Sequence, residues 1–216
     1  MKKYRYILFD LDGTLIYSHP GIYSCFQYAL QKMGQPKADE RILRKCIGPS
    51  LMYSFATFFD MSEENATRAT ALYREQYSVT GVYENSPIEG ALNCLKALKT
   101  AGYIMALATS KPKVYADIIA ERWGFSPYLT EQVGPGMDGS LETKAEVIAE
   151  AIRLLGARKE ECLMVGDRHH DVEGAKENGV DSVLLKVGYA AEGEERVCRP
   201  TYVLENFDAL EKFLTE

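Results

Sequence analysis

From residue 86 to the C-terminus, apolar and polar positions alternate between two periods. Helical spacing over 89–101 gives way to an apolar run at 103–109, and spacing over 114–123 to a shorter run near 129–133. Helical spacing returns over 144–155 before the run 162–166, and over 172–178 before 182–186; a last helical pattern covers 206–214. Short apolar runs closed by turn residues predict buried strands, and 3.6-residue spacing predicts helices. Their alternation predicts an α/β fold, a doubly wound parallel sheet with helices on both faces. The first strand falls within residues 1–15, where Tyr6-Ile7-Leu8-Phe9 runs into Asp10.

Between these segments the pattern changes. Residues 21–30, 39–46, 51–59 and 63–77 carry helical spacing, and no strand signal interrupts them. A small all-helical domain inserted after the first strand is predicted, giving a core of residues 1–16 and 86–216 and an insertion of 17–85. Hinges are expected near 16–19 and 85–87. Most of Tyr23, Phe26, Tyr28, Tyr53, Phe55, Phe58 and Phe59 are expected in the core of a small bundle.

Composition narrows the class. The 216 residues are 46% hydrophobic and 26% charged, as in a soluble globular protein, with a net charge of −6. That balance gives no basic footprint for nucleic acid or an anionic membrane. Five scattered cysteines with no Cys-x-x-Cys read as buried thiols in a reducing compartment. The apolar run after the basic start stops at Asp10, too short for a signal core or membrane span. A cytoplasmic protein is expected; the oligomeric state is not readable.

The strand ends carry the chemistry. Asp10-Leu11-Asp12-Gly13-Thr14 closes the first strand with two carboxylates one residue apart. Period-two geometry puts both on one side, where like charges are costly unless a cation or proton intervenes. Gly13 allows a tight turn and close backbone approach to a ligand. Asp-x-Asp-Gly also opens calcium loops, but the following Thr14-Leu15-Ile16-Tyr17 supplies too few oxygens. A second strand ends at Gly166-Asp167, with Asp171 four residues on, at a helix start. Turn and N-cap roles for that pair are the ordinary alternative. The strand 103–109 ends in Thr109-Ser110-Lys111, and Lys144 opens a helix, where a cation is unfavourable by the dipole unless an anion lies near. Together these residues suit phosphoryl transfer. Asp10 can attack phosphorus, Asp12 can exchange protons, and Thr109 and Lys144 can hold phosphate oxygens. Asp10 and Asp167 can hold a hard cation, for which Mg²⁺ is expected.

The ordered set resembles the haloacid dehalogenase-like superfamily, in particular its phosphatases, over nearly the whole chain. The resemblance implies a Rossmann-like core and a helical cap. It implies Asp10 as nucleophile and metal ligand, and Asp12 as general acid/base and metal ligand through its carbonyl. It further implies phosphate binding by Asp10, Gly13, Thr109, Ser110 and Lys144, metal binding by Asp167, and an outer role for Asp171. Asp12 points away from the dehalogenase branch, which lacks that carboxylate. Two features depart from the family pattern: Ala145-Glu146 rather than an early proline after Lys144, and His169-His170 within the last motif. Paired histidines suit a softer metal, but the oxygen-rich set favours reading them as partly exposed loop residues.

Ile47-Gly48-Pro49-Ser50-Leu51 and Thr109-Ser110-Lys111 resemble the phosphoglycolate phosphatase/5′-nucleotidase-like branch. The substrate expected is a small phosphorylated metabolite: an acid, a sugar or a nucleoside monophosphate. Arg44, Lys45 and Lys111 can meet such an anion, although a solvated surface role is the simpler reading of each. A phosphomutase of the β-phosphoglucomutase type and a non-catalytic binding protein on the same fold are the alternatives.

Overall fold

The computed structural model describes residues 3–216. The chain divides into two compact units: one ends at Tyr17 and resumes as Pro87–Glu216, and the other is Ser18–Ser86.

The first unit begins with β1 (Tyr6–Phe9) and the short β2 (Ile16–Tyr17). The second unit holds α1 (His19–Lys32), α2 (Glu40–Lys45), α3 (Leu51–Phe58) and α4 (Glu63–Val79). The chain then continues through β3 (Ser86–Pro87), α5 (Ala91–Thr100), β4 (Ile104–Ala108), α6 (Lys113–Arg122), β5 (Leu129–Val133) and α7 (Lys144–Leu155). It finishes with β6 (Cys162–Gly166), α8 (His169–Glu177), β7 (Asp181–Leu185), α9 (Glu194–Cys198), β8 (Tyr202–Leu204) and α10 (Phe207–Thr215).

Six strands form one parallel sheet in the order β5-β4-β1-β6-β7-β8. The chain winds from β1 to one edge and then from β6 to the other, so β1 lies at the reversal, where open α/β sheets bind ligands beyond their carboxyl ends. All four β1 residues are buried, as a strand covered on both faces requires. On one face Tyr6, Leu8, Ala106, Ala108 and Met164 pack with Val147, Ile148 and Ala151 of α7 and Ala175 of α8. Phe9 pairs in register with Leu107 on one side and Val165 on the other. The residues just beyond, Asp10, Ala108 and Gly166, therefore line up at one level.

The α/β reading holds, with local corrections. β1 ends at Phe9, so Asp10 and Asp12 lie on the loop that follows it rather than within the strand. Asp10 still donates its N–H to Val165 O at 3.0 Å, which keeps it on the sheet's hydrogen-bond ladder. The short α9 and the three-residue edge strand β8 carry too few periodic positions to be read from the pattern.

In the second unit α1 packs along α4. Phe26 sits against Phe55 and Tyr73 with ring centroids 4.8 and 5.0 Å apart, and Tyr73 stacks on Tyr77. Only Phe26 and Phe55 of the seven expected aromatics are fully buried. Tyr53 is exposed, and Tyr23, Tyr28, Phe58 and Phe59 are half-buried, Phe59 with its ring against Phe26 and Phe55.

All five cysteines are buried thiols. Burial pushes Cys46 and Cys94 up to about 12 and Cys162 to about 11, which keeps them protonated and unreactive. No helix among the described residues is long and apolar enough to cross a membrane.

Candidate active site

The site is built on three neighbouring strand ends. Asp10 follows β1, Thr109 follows β4 and Asp167 follows β6, so the sheet register itself brings residues distant in sequence together. Helix α7 adds Lys144. A capping box fixes its start: the Thr143 side chain accepts from Glu146 N at 3.2 Å, and Glu146 Oε2 accepts from Thr143 N at 2.9 Å. That box, legible as Thr-x-x-Glu, does the job of the missing proline.

Lys144 is nearly buried rather than solvated. Its Nζ donates to Asp10 Oδ1 at 2.7 Å and to Ala108 O at 3.1 Å. It also pairs with Asp171 Oδ1 at 2.8 Å, in an orientation less well aligned for a hydrogen bond. Burial works against its charge, but the carboxylates of Asp10 and Asp171 win and hold the ammonium protonated well above the usual lysine range.

The acidic side of the site is under electrostatic load. Ligand oxygens of Asp10, Asp167 and Asp171 all lie within 4.8 Å of one another, and all three residues are buried. Burial pushes Asp10 up to about 6, against the pull of Lys144 and with the repulsion of Asp171. Asp167 rises well above the usual carboxylate range, first through burial and then through the charges of Asp171 and Asp10. The neighbourhood holds four carboxylates, Asp10, Asp12, Asp167 and Asp171, against two ammonium groups, Lys144 and Lys111. A crowded set of carboxylate oxygens, formally two negative charges in excess once all four are ionised, fits a hard dication.

Second contacts fix the carboxylates. Asp167 Oδ2 accepts from Tyr189 N at 2.6 Å, and Thr14 Oγ1 donates to Asp167 Oδ1 at 3.3 Å. Asp171 Oδ2 accepts from Arg168 N at 3.1 Å, which places Asp171 at the third position of α8 rather than at its cap. Two glycines permit this crowding. Gly13 takes φ 88°, and a Cβ there would stand 2.3 Å from Asp167 Oδ2. A Cβ on Gly166 would stand 2.1 Å from Asp171 Cγ.

Thr109 is buried, its N–H donates to Val133 O at 3.0 Å, and its Oγ1 accepts from Lys111 N at 3.2 Å. Ser110 is half-buried on the same turn. Lys111 overturns its solvated reading. It is 7% exposed, and its Nζ donates to both Asp12 oxygens, at 3.0 and 2.8 Å. The pairing spans 99 positions, and nothing local to Lys111 signals it. The backbone N–H of Tyr189 was missed for the same reason. His169 and His170 are not loop residues but open α8, half-buried. His169 pairs with Glu194 at 2.8 Å, and burial pushes His170 down to about 4, so it is neutral near pH 7.

The family model described as haloacid dehalogenase-like hydrolase matches residues 7–185. The chain belongs to the haloacid dehalogenase-like hydrolase family. It is 38% identical over 212 residues to a 5′-nucleotidase of Pseudomonas aeruginosa, covering 98% of this chain and 96% of that one. It is 37% identical over 183 residues to the tyrosine-protein kinase PtkA of Mycobacterium tuberculosis, covering 85% of this chain and 62% of that one. A crystal structure of a predicted phosphatase from Clostridium acetobutylicum superposes with a TM-score of 0.92 at 36% identity, covering 97% of each chain.

Proposed function

We propose that this family member is a Mg²⁺-dependent phosphatase that hydrolyses small phosphate monoesters through an aspartyl-phosphate on Asp10. One observation carries the reading. Asp10 is a buried carboxylate at the central strand end, tied through Oδ1 to Lys144, with the Asp12 carboxylate two residues on. With Oδ1 held, attack on phosphorus falls to Oδ2.

In the first step an Asp10 oxygen bonds to phosphorus as the ester P–O bond breaks, and Asp12 gives a proton to the leaving oxygen. In the second, Asp12 takes a proton from water, the water oxygen bonds to phosphorus, and the bond to Asp10 breaks to release inorganic phosphate. Thr109 and Lys144 hold the non-bridging oxygens, with backbone and hydroxyl contacts from Gly13 and Ser110. Asp10 and Asp167 would hold Mg²⁺ through side chains and Asp12 through its backbone carbonyl, with Asp171 orienting Lys144 and metal-bound water. When bound, the dication offsets the site's excess negative charge and that of the phosphoryl group.

The names of the relatives support a substrate class. A 5′-nucleotidase relative and the motif resemblance favour a nucleoside monophosphate, a phosphorylated acid or a sugar phosphate. The kinase relative makes the acceptor the variable to check, water or a hydroxyl group. The test is phosphate release from a panel of such esters, with Mg²⁺ and with chelator. Release only with Mg²⁺ supports the reading. Transfer to another hydroxyl without phosphate release supports a mutase or kinase, and no turnover of any ester contradicts the proposal.

Metal binding should depend on pH with a definite sign. Asp10 sits at about 6 without metal, so below that pH it is protonated and must lose the proton when a cation binds. Mg²⁺ affinity should therefore climb as pH rises through 6, and the raised Asp167, a ligand in the same reading, adds to the climb. Calorimetric titration between pH 5 and 8, in buffers of differing ionisation enthalpy, should show proton release that shrinks at the alkaline end. An affinity that is flat with pH would contradict the assignment.

A further inference from the structure

We propose that Lys111 is a phosphate-released clasp on Asp12: it holds the proton-transfer carboxylate while the site is empty and moves to the phosphoryl group when substrate enters. The inference rests on the phosphatase reading above and assigns Lys111 a function in it.

Four observations carry it. The Lys111 ammonium donates to both oxygens of Asp12, and the two side chains are only 5% and 17% exposed. A buried pair of this kind is costly to assemble, and its two ends are far apart in sequence. The backbone of Lys111 is fixed. Its N–H donates to Thr109 Oγ1, and its carbonyl packs so closely on Gly134 that a Cβ there would stand 2.4 Å away. The same turn thus carries the candidate phosphate hydroxyl and the cation, and only the flexible end of the lysine is left to move. Lys144 serves Asp10 and Asp171, which leaves Lys111 as the cation paired with Asp12 among the described residues.

With both oxygens accepting from Lys111, the Asp12 carboxylate is held toward the lysine. In the proposal the clasp opens so that one oxygen turns to the leaving oxygen and then to a water. A phosphoryl dianion arriving between Asp10 and Thr109 carries more charge than one carboxylate and presents several acceptor oxygens, so it is the stronger partner for a lysine point charge. Binding would thus free Asp12 only when a phosphoryl group is in place.

The test uses the full chain with Mg²⁺ and inorganic phosphate as the probe. A crystal structure of that complex should show Lys111 Nζ hydrogen-bonded to a phosphate oxygen and withdrawn from at least one oxygen of Asp12. In calorimetric titration K111M should bind phosphate at least tenfold more weakly than wild type. K111R, which keeps the charge, should recover part of the loss and serves if K111M does not fold. Phosphate bound with Lys111 still on both Asp12 oxygens would overturn the clasp, as would unchanged affinity in K111M. If wild type shows the movement yet hydrolyses no ester, the phosphatase reading fails and the clasp stands. If wild type with Mg²⁺ binds no phosphate, both fail.

Discussion

Asp10→Asn should lower turnover by roughly 10⁴-fold or more while leaving the fold intact, since an amide is a far weaker nucleophile than a carboxylate. The exchange is nearly isosteric in a buried position and creates no cavity. It removes one of three carboxylates crowded within 4.8 Å, so the repulsion that adds to burial in lifting Asp167 is reduced. Lys144 keeps Asp171 at 2.8 Å and Ala108 O at 3.1 Å, so its charge is not orphaned. Thermal melting without metal should therefore match or exceed wild type, while Mg²⁺ binds more weakly. Phosphate release with a detection floor below 10⁻⁴ of wild type decides the matter. A variant that is folded and still active would remove Asp10 from the nucleophile's role.

Asp12→Ala should cost about 10²–10⁴-fold in kcat for alkyl phosphates, the range expected for a lost general acid/base. The loss should be smaller for an aryl ester such as p-nitrophenyl phosphate, whose leaving group departs without a proton, so that only the attack of water still needs the base. This split separates proton transfer from mere distortion of the loop, which would slow both esters alike. The variant also leaves the Lys111 ammonium without its 2.8 Å partner in a site where that lysine is 7% exposed, so some loss of stability accompanies it. Equal losses for alkyl and aryl esters would contradict the assignment.

Much of the fold was legible because the strand signals are strong: β1, β4 and β6 are largely buried apolar runs closed by turn residues, and β7 carries the buried run Val183-Leu184-Leu185. What was not legible is short or marginal. β8 has three residues at the sheet edge, and α9 has five. The bundle aromatics differ from that expectation because spacing identifies a helix face but not how many layers cover it; Tyr53 is exposed, its ring set edge-on to Phe58 of the same helix.

The site divides along similar lines. Asp10, Thr109 and Asp167 follow strand ends that one sheet register brings together, and Lys144 and Asp171 sit in the first turns of the helices α7 and α8. Lys111 was misjudged because a lysine's surroundings depend on what stands opposite, here a loop 99 positions earlier. His169 and His170 read as loop residues because the helical spacing becomes clear only from 172, whereas α8 opens at His169.

The proposed catalysis turns on a covalent bond between Asp10 and phosphorus. The most direct measurement is to acid-quench the enzyme during turnover of its best ester with Mg²⁺, reduce with borohydride, and sequence the peptides by mass spectrometry. An acyl phosphate is reduced to the alcohol, so the account predicts homoserine at position 10 in the turnover sample and unmodified aspartate there when substrate is omitted. Active enzyme that yields unmodified Asp10 at every quench time, or a reduced residue elsewhere, would contradict it.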